Sequence, residues 1–135
     1  MTDQYLNIIR LKNNGDERGY SYNIPREAFD YIGKVEDVHL ASIDSGKIRG
    51  NHYHIDRKEF IIILYSDSWI FAWELKDGSV GEKKQFSGSG CILIEIESNV
   101  THAIQNIGKL PIYIFAFSPN KYDPENSDTV VKKII

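Results

Sequence analysis

Histidine is rare in this chain, yet two of its histidines stand in a pattern that could bind a metal. His52 and His54 are two positions apart in a segment typical of a β-strand, so their rings should project from one face. Glu59 follows a polar break at residues 55–58, where the chain can reverse and bring the carboxylate alongside the rings. Two or three imidazoles with one carboxylate suit a divalent transition metal such as Zn, Mn, Fe, Co or Ni, and leave a coordination position for water or substrate.

A third imidazole could come from His102. This histidine follows a turn predicted at residues 97–99 and precedes Asn106 at an H-x3-N spacing. His39 is the remaining histidine and has no partner at ligand spacing, so we expect it to have a structural role. The sequence therefore predicts a site assembled from two separate segments of the chain.

Length, composition and charge restrict the kind of protein that could carry such a site. The chain has 135 residues, 41% of them apolar and 26% charged, which is typical of one globular domain over residues 1–135. A net charge of -3 gives no basic surface for nucleic acid or for an anionic membrane. The single cysteine, Cys91, and the lack of a signal-like or membrane-length apolar run favour a cytoplasmic protein.

Most of the elements that must position the site are predicted to be strands. Short runs of β-branched and aromatic residues alternate with clusters of Gly, Asn, Asp and Ser. Residues 26–32 have apolar side chains at helical spacing and form the one helical turn that we expect. The predicted strands cover residues 5–12, 20–24, 38–43, 48–54, 59–65, 69–75, 80–86, 91–96, 100–105, 112–117 and 129–135.

The pairing of these strands can be predicted only in part. We expect a hairpin between the first two strands and a meander of the three strands within residues 59–86. Strands at close, regular spacing indicate a closed barrel or jelly roll, in which pairing protects the edges. Trp69, Phe71 and Trp73 share one face of a strand, and we expect them to pack in the core; the alternative is a ring-stacking wall of a ligand pocket.

The histidine segments resemble those of the cupin superfamily. Residues 46–59 match the first cupin motif as G-x5-H-x-H-x4-E, and residues 102–106 are similar to the end of the second. The resemblance implies an all-β fold, the cupin double-stranded β-helix or jelly-roll barrel. It also implies that four inward-pointing side chains bind the metal, namely His52, His54, Glu59 and His102.

Within the cupins, the segment at residues 49–54 is similar to the active-site stretch of the sugar-nucleotide epimerases and isomerases. These include dTDP-4-dehydrorhamnose 3,5-epimerase, the nucleotide-sugar 3,4-ketoisomerases and the C-terminal cupin of the capsular-polysaccharide reductase/epimerase. Residues 16–19 and the tail at residues 122–129 also resemble segments of these proteins. The resemblance implies a homodimer and a nucleotide-sugar substrate.

The resemblance also implies roles for individual residues. His52 would act as a base or as a metal ligand, because one nitrogen lone pair cannot do both. Arg49 would hold an anion or the enolate oxygen, and a bulge at Gly50 would turn it inward. Asn51 and Tyr113 would contact the substrate together with Arg49. A second acid could be Tyr113 or Tyr122.

Three functions remain compatible with the sequence. The first is an epimerase or isomerase that acts on a nucleotide-activated 4-keto sugar in cell-surface polysaccharide biosynthesis. The second is a metal cupin of other chemistry, such as a dioxygenase or a phosphosugar isomerase. The third is a carbohydrate-binding or regulatory cupin without catalytic activity.

Overall fold

Two antiparallel sheets account for most of the chain. The computed structural model describes residues 5–75, 77–78 and 81–135. Within them are one helix and ten strands: β1 (Leu6–Arg10), α1 (Arg26–Ile32), β2 (Asp37–Ile43), β3 (Ile48–His54), β4 (Glu59–Tyr65), β5 (Trp69–Leu75), β6 (Gly81–Phe86), β7 (Gly90–Ile96), β8 (Val100–Asn106), β9 (Ile112–Ser118) and β10 (Thr129–Val131). The first sheet has the order β1-β7-β4-β9-β2, and the second has the order β10-β3-β8-β5-β6. This architecture agrees with the jelly-roll barrel expected from the sequence.

The main core lies between the two sheets. Alternate residues of β4 face inward, so Ile61 and Ile63 join the core while Phe60 and Ile62 face the other side of the sheet. Trp69, Phe71 and Trp73 are all buried in the inner core, which confirms their predicted packing role. Trp73 lies opposite His102 on the neighbouring strand β8, so this core borders the polar site described below.

A second apolar layer covers the outer face of the first sheet. Ala28 and Ile32 of α1 are buried there against Phe60 and Leu93. Cys91 is also buried in this layer, and burial raises the pKa of its thiol to about 11. The helix has seven residues, so no helix of the described residues is long enough to cross a lipid bilayer.

The strand predicted at residues 20–24 is wrong. β1 pairs with β7 instead, and residues 20–24 pass over the outer layer, where Tyr22 and Ile24 pack without joining a ladder. Oδ1 of Asn13 accepts hydrogen bonds from the backbone N–H groups of Gly15 and Ser21. These two bonds take the place of ladder hydrogen bonds at this turn. Tyr22 and Ile24 have the alternating spacing of a strand, but they pack against the outer face of the first sheet, which α1 also covers.

The meander predicted within residues 59–86 is confirmed for its second hairpin, because β5 pairs with β6, and is wrong for its first. β4 lies in the first sheet, whereas β5 lies in the second and pairs with β6 and β8. Residues 66–68 therefore carry the chain from one sheet to the other. The turn expected at residues 76–79 lies partly outside the described residues.

Candidate functional site

Three histidines and one glutamate meet inside the barrel, next to the aromatic core. His52 and His54 lie on β3, and His102 lies opposite His52 on the neighbouring strand β8. The ligand nitrogens of the three histidines lie within 4.8 Å of one another. Glu59 is the first residue of β4, so it comes from the other sheet. The structure thus brings together the four side chains that the sequence selected.

Glu59 is the centre of this group. Its Oε1 atom lies 3.2 Å from Nε2 of His102 and 3.6 Å from Nε2 of His54. The three side chains are buried. A buried carboxylate with no cation or donor beside it would be strongly destabilised. Burial alone would raise the pKa of Glu59, but hydrogen bonds from His102 and His54 outweigh burial and hold that pKa well below its usual range when the Nε2 atoms that face it carry protons.

The other ring nitrogens of His54 and His102 determine which nitrogen faces Glu59. Nδ1 of His102 lies 3.0 Å from the carbonyl oxygen of Val100, which can only accept a hydrogen bond. Nδ1 of His54 lies 3.3 Å from Oδ1 of Asp128. Both rings therefore carry a proton on Nδ1, and in their neutral form both direct an Nε2 lone pair toward Glu59.

Two lone pairs and a carboxylate oxygen that converge in this way need a positive charge among them. A proton on one ring could supply it, and so could a metal ion. The contacts of Nδ1 with Asp128 and with a backbone carbonyl are those by which proteins orient metal-binding histidines. Imidazole nitrogens with one carboxylate fit a divalent transition metal, whereas calcium would need a site made of oxygen atoms. The chemistry and spacing of these donors thus fit the metal that the sequence suggested.

His52 differs from its two neighbours. Its ring centroid lies 5.0 Å from those of His54 and His102, but its side chain has no hydrogen bond or ion pair with another of the described residues. Burial lowers the pKa of His52 to about 4, and the charges of His102, His54 and Arg57 also contribute. His52 is therefore neutral at pH 7, with a lone pair free for a proton or a metal.

The group lines a cavity of about 500 Å³. Inward-facing residues of both sheets form its wall. The apolar part of the wall consists of Ala41, Ile48, Gly50, Ile61, Ile104, Ile114 and Ala116. The polar part consists of Asp37, His39, Arg49, His52, His54, Arg57, Glu59, His102, Tyr122 and Thr129. Apolar walls with a few convergent polar groups are typical of small-molecule sites.

Arg49 reaches the cavity because the β3–β8 ladder is irregular. The register shifts between Gly50 and His52, and both Gly50 (φ 93°) and Asn51 (φ 55°) have left-handed backbone conformations. This is where the sequence predicted a bulge. Nε of Arg49 donates a hydrogen bond of 2.7 Å to the carbonyl oxygen of Ser42, and its side chain stays at the exposed rim.

The structure places two predicted substrate contacts away from the cavity. The side chain of Asn51 bonds to the backbone of Ile134 and Ile135, so it fastens the C-terminal segment to β3. Tyr113 lies on the outer face of β9, half exposed, because Ile114 occupies the inward position. Tyr122, the alternative second acid, does line the cavity.

Several cavity residues were not identified from the sequence. His39 and Asp37 lie on the inward face of β2, so His39 belongs to the rim of the site rather than to a structural cluster. The alternation of Asp37 and His39 along β2 could have shown that they share a face. The strand carries no motif that would have linked this face to the site. Arg57 and Asp128 reach the site through a turn and through the tail, where alternation gives no information.

Comparisons with known proteins agree with this fold. Residues 14–130 match the family model of the polysaccharide biosynthesis C-terminal domain. No curated protein sequence matches the chain. The crystal structure of the capsular polysaccharide assembling protein CapF from Staphylococcus aureus is 20% identical, with a TM-score of 0.66 over 93% of this chain and 33% of CapF. The chain thus spans about a third of the length of CapF.

Two further solved structures are similar over most of both chains. The first is a variant of the 3,4-ketoisomerase QdtA from Thermoanaerobacterium thermosaccharolyticum, which is 14% identical, with a TM-score of 0.71 over 96% of this chain and 88% of QdtA. The second is the 3,5-epimerase RmlC from Legionella pneumophila, which is 17% identical, with a TM-score of 0.72 over 93% of this chain and 71% of RmlC. These likenesses confirm the cupin-type jelly-roll fold. Since the family model covers most of the sequence, the chain belongs to the polysaccharide biosynthesis C-terminal domain family.

Proposed function

We propose that this protein is an epimerase or isomerase that acts on a nucleotide-activated 4-keto sugar in polysaccharide biosynthesis. The observation that carries the proposal is a neutral imidazole, that of His52, in a cavity beside three polar side chains that can hold a cation. The QdtA structure is in complex with TDP-4-keto-6-deoxyglucose, and the RmlC structure with dTDP-4-keto-L-rhamnose. The family supports the setting in polysaccharide biosynthesis.

The proposed chemistry begins with removal of a proton from the carbon next to the ketone. His52 takes this proton, the C–H electron pair forms a C=C bond, and the carbonyl π pair moves to oxygen to give an enolate. Return of a proton to the opposite face of the same carbon gives the epimer. For the isomeric ketone, the proton returns to the former carbonyl carbon, while the proton of the hydroxyl group on the first carbon moves to the enolate oxygen and the new C=O bond forms at that first carbon. A base that is neutral at pH 7 is suited to this step.

His54, Glu59 and His102 would hold a divalent metal in the same cavity. When bound, such an ion supplies a Lewis acid for a carbonyl oxygen. We assign His52 to the base rather than to the ligand set, because its lone pair cannot serve both purposes and because Glu59 contacts only the other two rings.

Exchange of the substrate α-proton with solvent deuterium tests the proposal. Nucleotide 4-keto sugars are mixed with the protein in D₂O, and NMR follows the incorporation of deuterium at the α-carbon. The His52→Gln variant should incorporate deuterium at least ~100-fold more slowly than the wild type, which is the loss expected for a general base. Tight binding with no exchange by the wild type would favour the carbohydrate-binding alternative.

Metal analysis of two matched variants tests the division of roles. His102→Gln should lower the affinity for zinc or manganese more than 100-fold, since loss of a partner behind a ligand already costs ~10–100-fold. His52→Gln should keep its metal. Loss of the metal from both variants would show that His52 is a metal ligand, which is the role implied by the cupin resemblance. That result would refute the assignment of His52 as the base.

A further inference from the structure

Arg57 is a half-buried cation that has no partner for its charge. Its Nε atom is buried without a hydrogen-bond acceptor, and its guanidinium forms no ion pair with any residue that the structure describes. A buried donor left unpaired costs about 1–3 kcal/mol, and more when it is charged. Such a group inside a cavity is suited to an acceptor supplied by a ligand.

The backbone around Arg57 is held firmly. Its N–H group donates a hydrogen bond of 3.0 Å to Oδ2 of Asp128, and the N–H group of Asp56 donates one of 3.2 Å to the same oxygen. Oδ1 of Asp128 is occupied by His54. The carboxylate of Asp128 is thus used by the backbone and by a histidine, and it forms no ion pair with the Arg57 guanidinium.

The position of Arg57 makes it a contact for substrate. It lines the same cavity as His52. It also borders a second hollow beneath the tail at residues 120–129, together with Tyr122 and Thr129. Arg49, by comparison, is an exposed rim residue whose Nε is already bound to a carbonyl oxygen.

We propose that Arg57 is the anion-binding residue of the cavity interior, and that it holds the substrate oxygen that becomes negatively charged when His52 takes the proton from the adjacent carbon. This inference rests on the proposed function for the identity of the anion. The guanidinium keeps all its protons; it donates hydrogen bonds to the enolate oxygen and releases it when the carbonyl reforms. Planar paired donors make arginine better suited to this task than lysine.

Three variants test the assignment. Arg57→Gln should slow α-proton exchange at least ~100-fold, as loss of one enolate donor does in other enzymes, while the Kd for the nucleotide keto sugar stays within threefold. Arg57→Lys should recover part of the rate. Lys58→Gln is the matched control, because Lys58 carries the same charge next in sequence but lies over the Tyr31 ring, outside the cavity lining.

Two outcomes of this experiment would overturn the assignment. Unchanged exchange in Arg57→Gln would show that the guanidinium does not contact the reacting oxygen. A weaker Kd with an unchanged exchange rate would show that Arg57 binds another anionic group of the substrate, such as the diphosphate.

A second measurement separates this proposal from the proposed function. Titration with inorganic phosphate should shift the Nε–H NMR signal of Arg57 in a saturable manner, and Arg57→Gln should lack phosphate binding that Lys58→Gln retains. If no keto sugar undergoes exchange with the wild type, the proposed function fails, and this titration still decides the anion site. An Arg57 signal that does not respond to phosphate would refute it.

Discussion

Glu59 shows how a single residue joins the two halves of the site. It lies on the first sheet, yet its oxygen is 3.2 Å from His102 and 3.6 Å from His54 on the second. The protons of both rings are on the nitrogens that face away from it, so the carboxylate meets two lone pairs when both rings are neutral. A cation at this point would relieve the repulsion between the carboxylate and the two lone pairs, which is the physical reason for proposing one.

His52 makes a residue-scale prediction about stability in the metal-free protein. Its pKa falls from about 6.5 in the unfolded chain to about 4 in the fold. Between these values the unfolded state binds more protons, so its contribution to stability is fully present above pH 6.5 and is lost as the pH falls toward 4. The free energy of unfolding should change by up to ~1.4 kcal/mol per pH unit in this range.

Urea unfolding at pH 7, 6, 5 and 4.5 measures this contribution. His52→Gln removes the titrating group, so its free energy of unfolding should fall less steeply with decreasing pH than that of the wild type. Parallel pH profiles for the two proteins would mean that His52 keeps an ordinary pKa in the fold.

At the scale of elements, the ladder between β3 and β8 sets the geometry of the cavity. Its bulge turns Arg49 toward the rim and places Asn51 against the C-terminal segment. A side chain on Gly50 would have its Cβ 2.6 Å from the carbonyl oxygen of His102 and 2.9 Å from Cα of Ala103. The close approach of the two strands therefore requires glycine.

Gly50→Ala tests this requirement. The positive φ and the backbone clash together should lower the free energy of unfolding by roughly 2–4 kcal/mol. Gly46→Ala is the matched control, because Gly46 has a similar φ of 78° but nothing within 4 Å of its added Cβ. It should cost only about 1–2 kcal/mol, the cost of the left-handed conformation alone. Equal losses would show that the strand contact has room to relax.

At the scale of the whole molecule, the C-terminal tail completes the site built by the barrel. Asp128 contacts His54, and the next residue, Thr129, lies 3.2 Å from the same ring nitrogen. β10 then pairs with β3. More than 70 residues separate this tail from the histidine that it orients, so the barrel must close before the site can form.

Asp128→Asn tests the role of the tail. The amide keeps an oxygen for the backbone N–H groups of the turn but loses the charge that fixes the His54 proton, so zinc affinity should fall ~10–100-fold. Competition with a chromophoric chelator measures this affinity. Asp123→Asn is the control within the same tail, since the side chain of Asp123 accepts a hydrogen bond from the backbone N–H of Glu125 and contacts no histidine of the site. A loss of similar size in both variants would indicate a general effect of charge.

The sequence by itself determined most of the strands and the core face of β5, and its resemblance to the cupins indicated the four side chains that converge. The strands and the core face follow from alternation within single strands, which is a local property. The convergence of Glu59 and His102 with the other two histidines came from the family resemblance. The bulge in β3 was also predictable, because Arg49 can share a face with His52 only if the alternation breaks at Gly50.

Only the tertiary structure decided which side chains reach the cavity from bulges, turns and tails. Asn51 and Tyr113 were expected to contact substrate and lie elsewhere, while Arg57, Asp128 and His39 lie at or beside the site. A bulge or a crossing between sheets changes which residues of the following segment face inward. The sequence does not show by how many positions the alternation shifts. The residues whose positions depend on such a reset are therefore those that local spacing could not place.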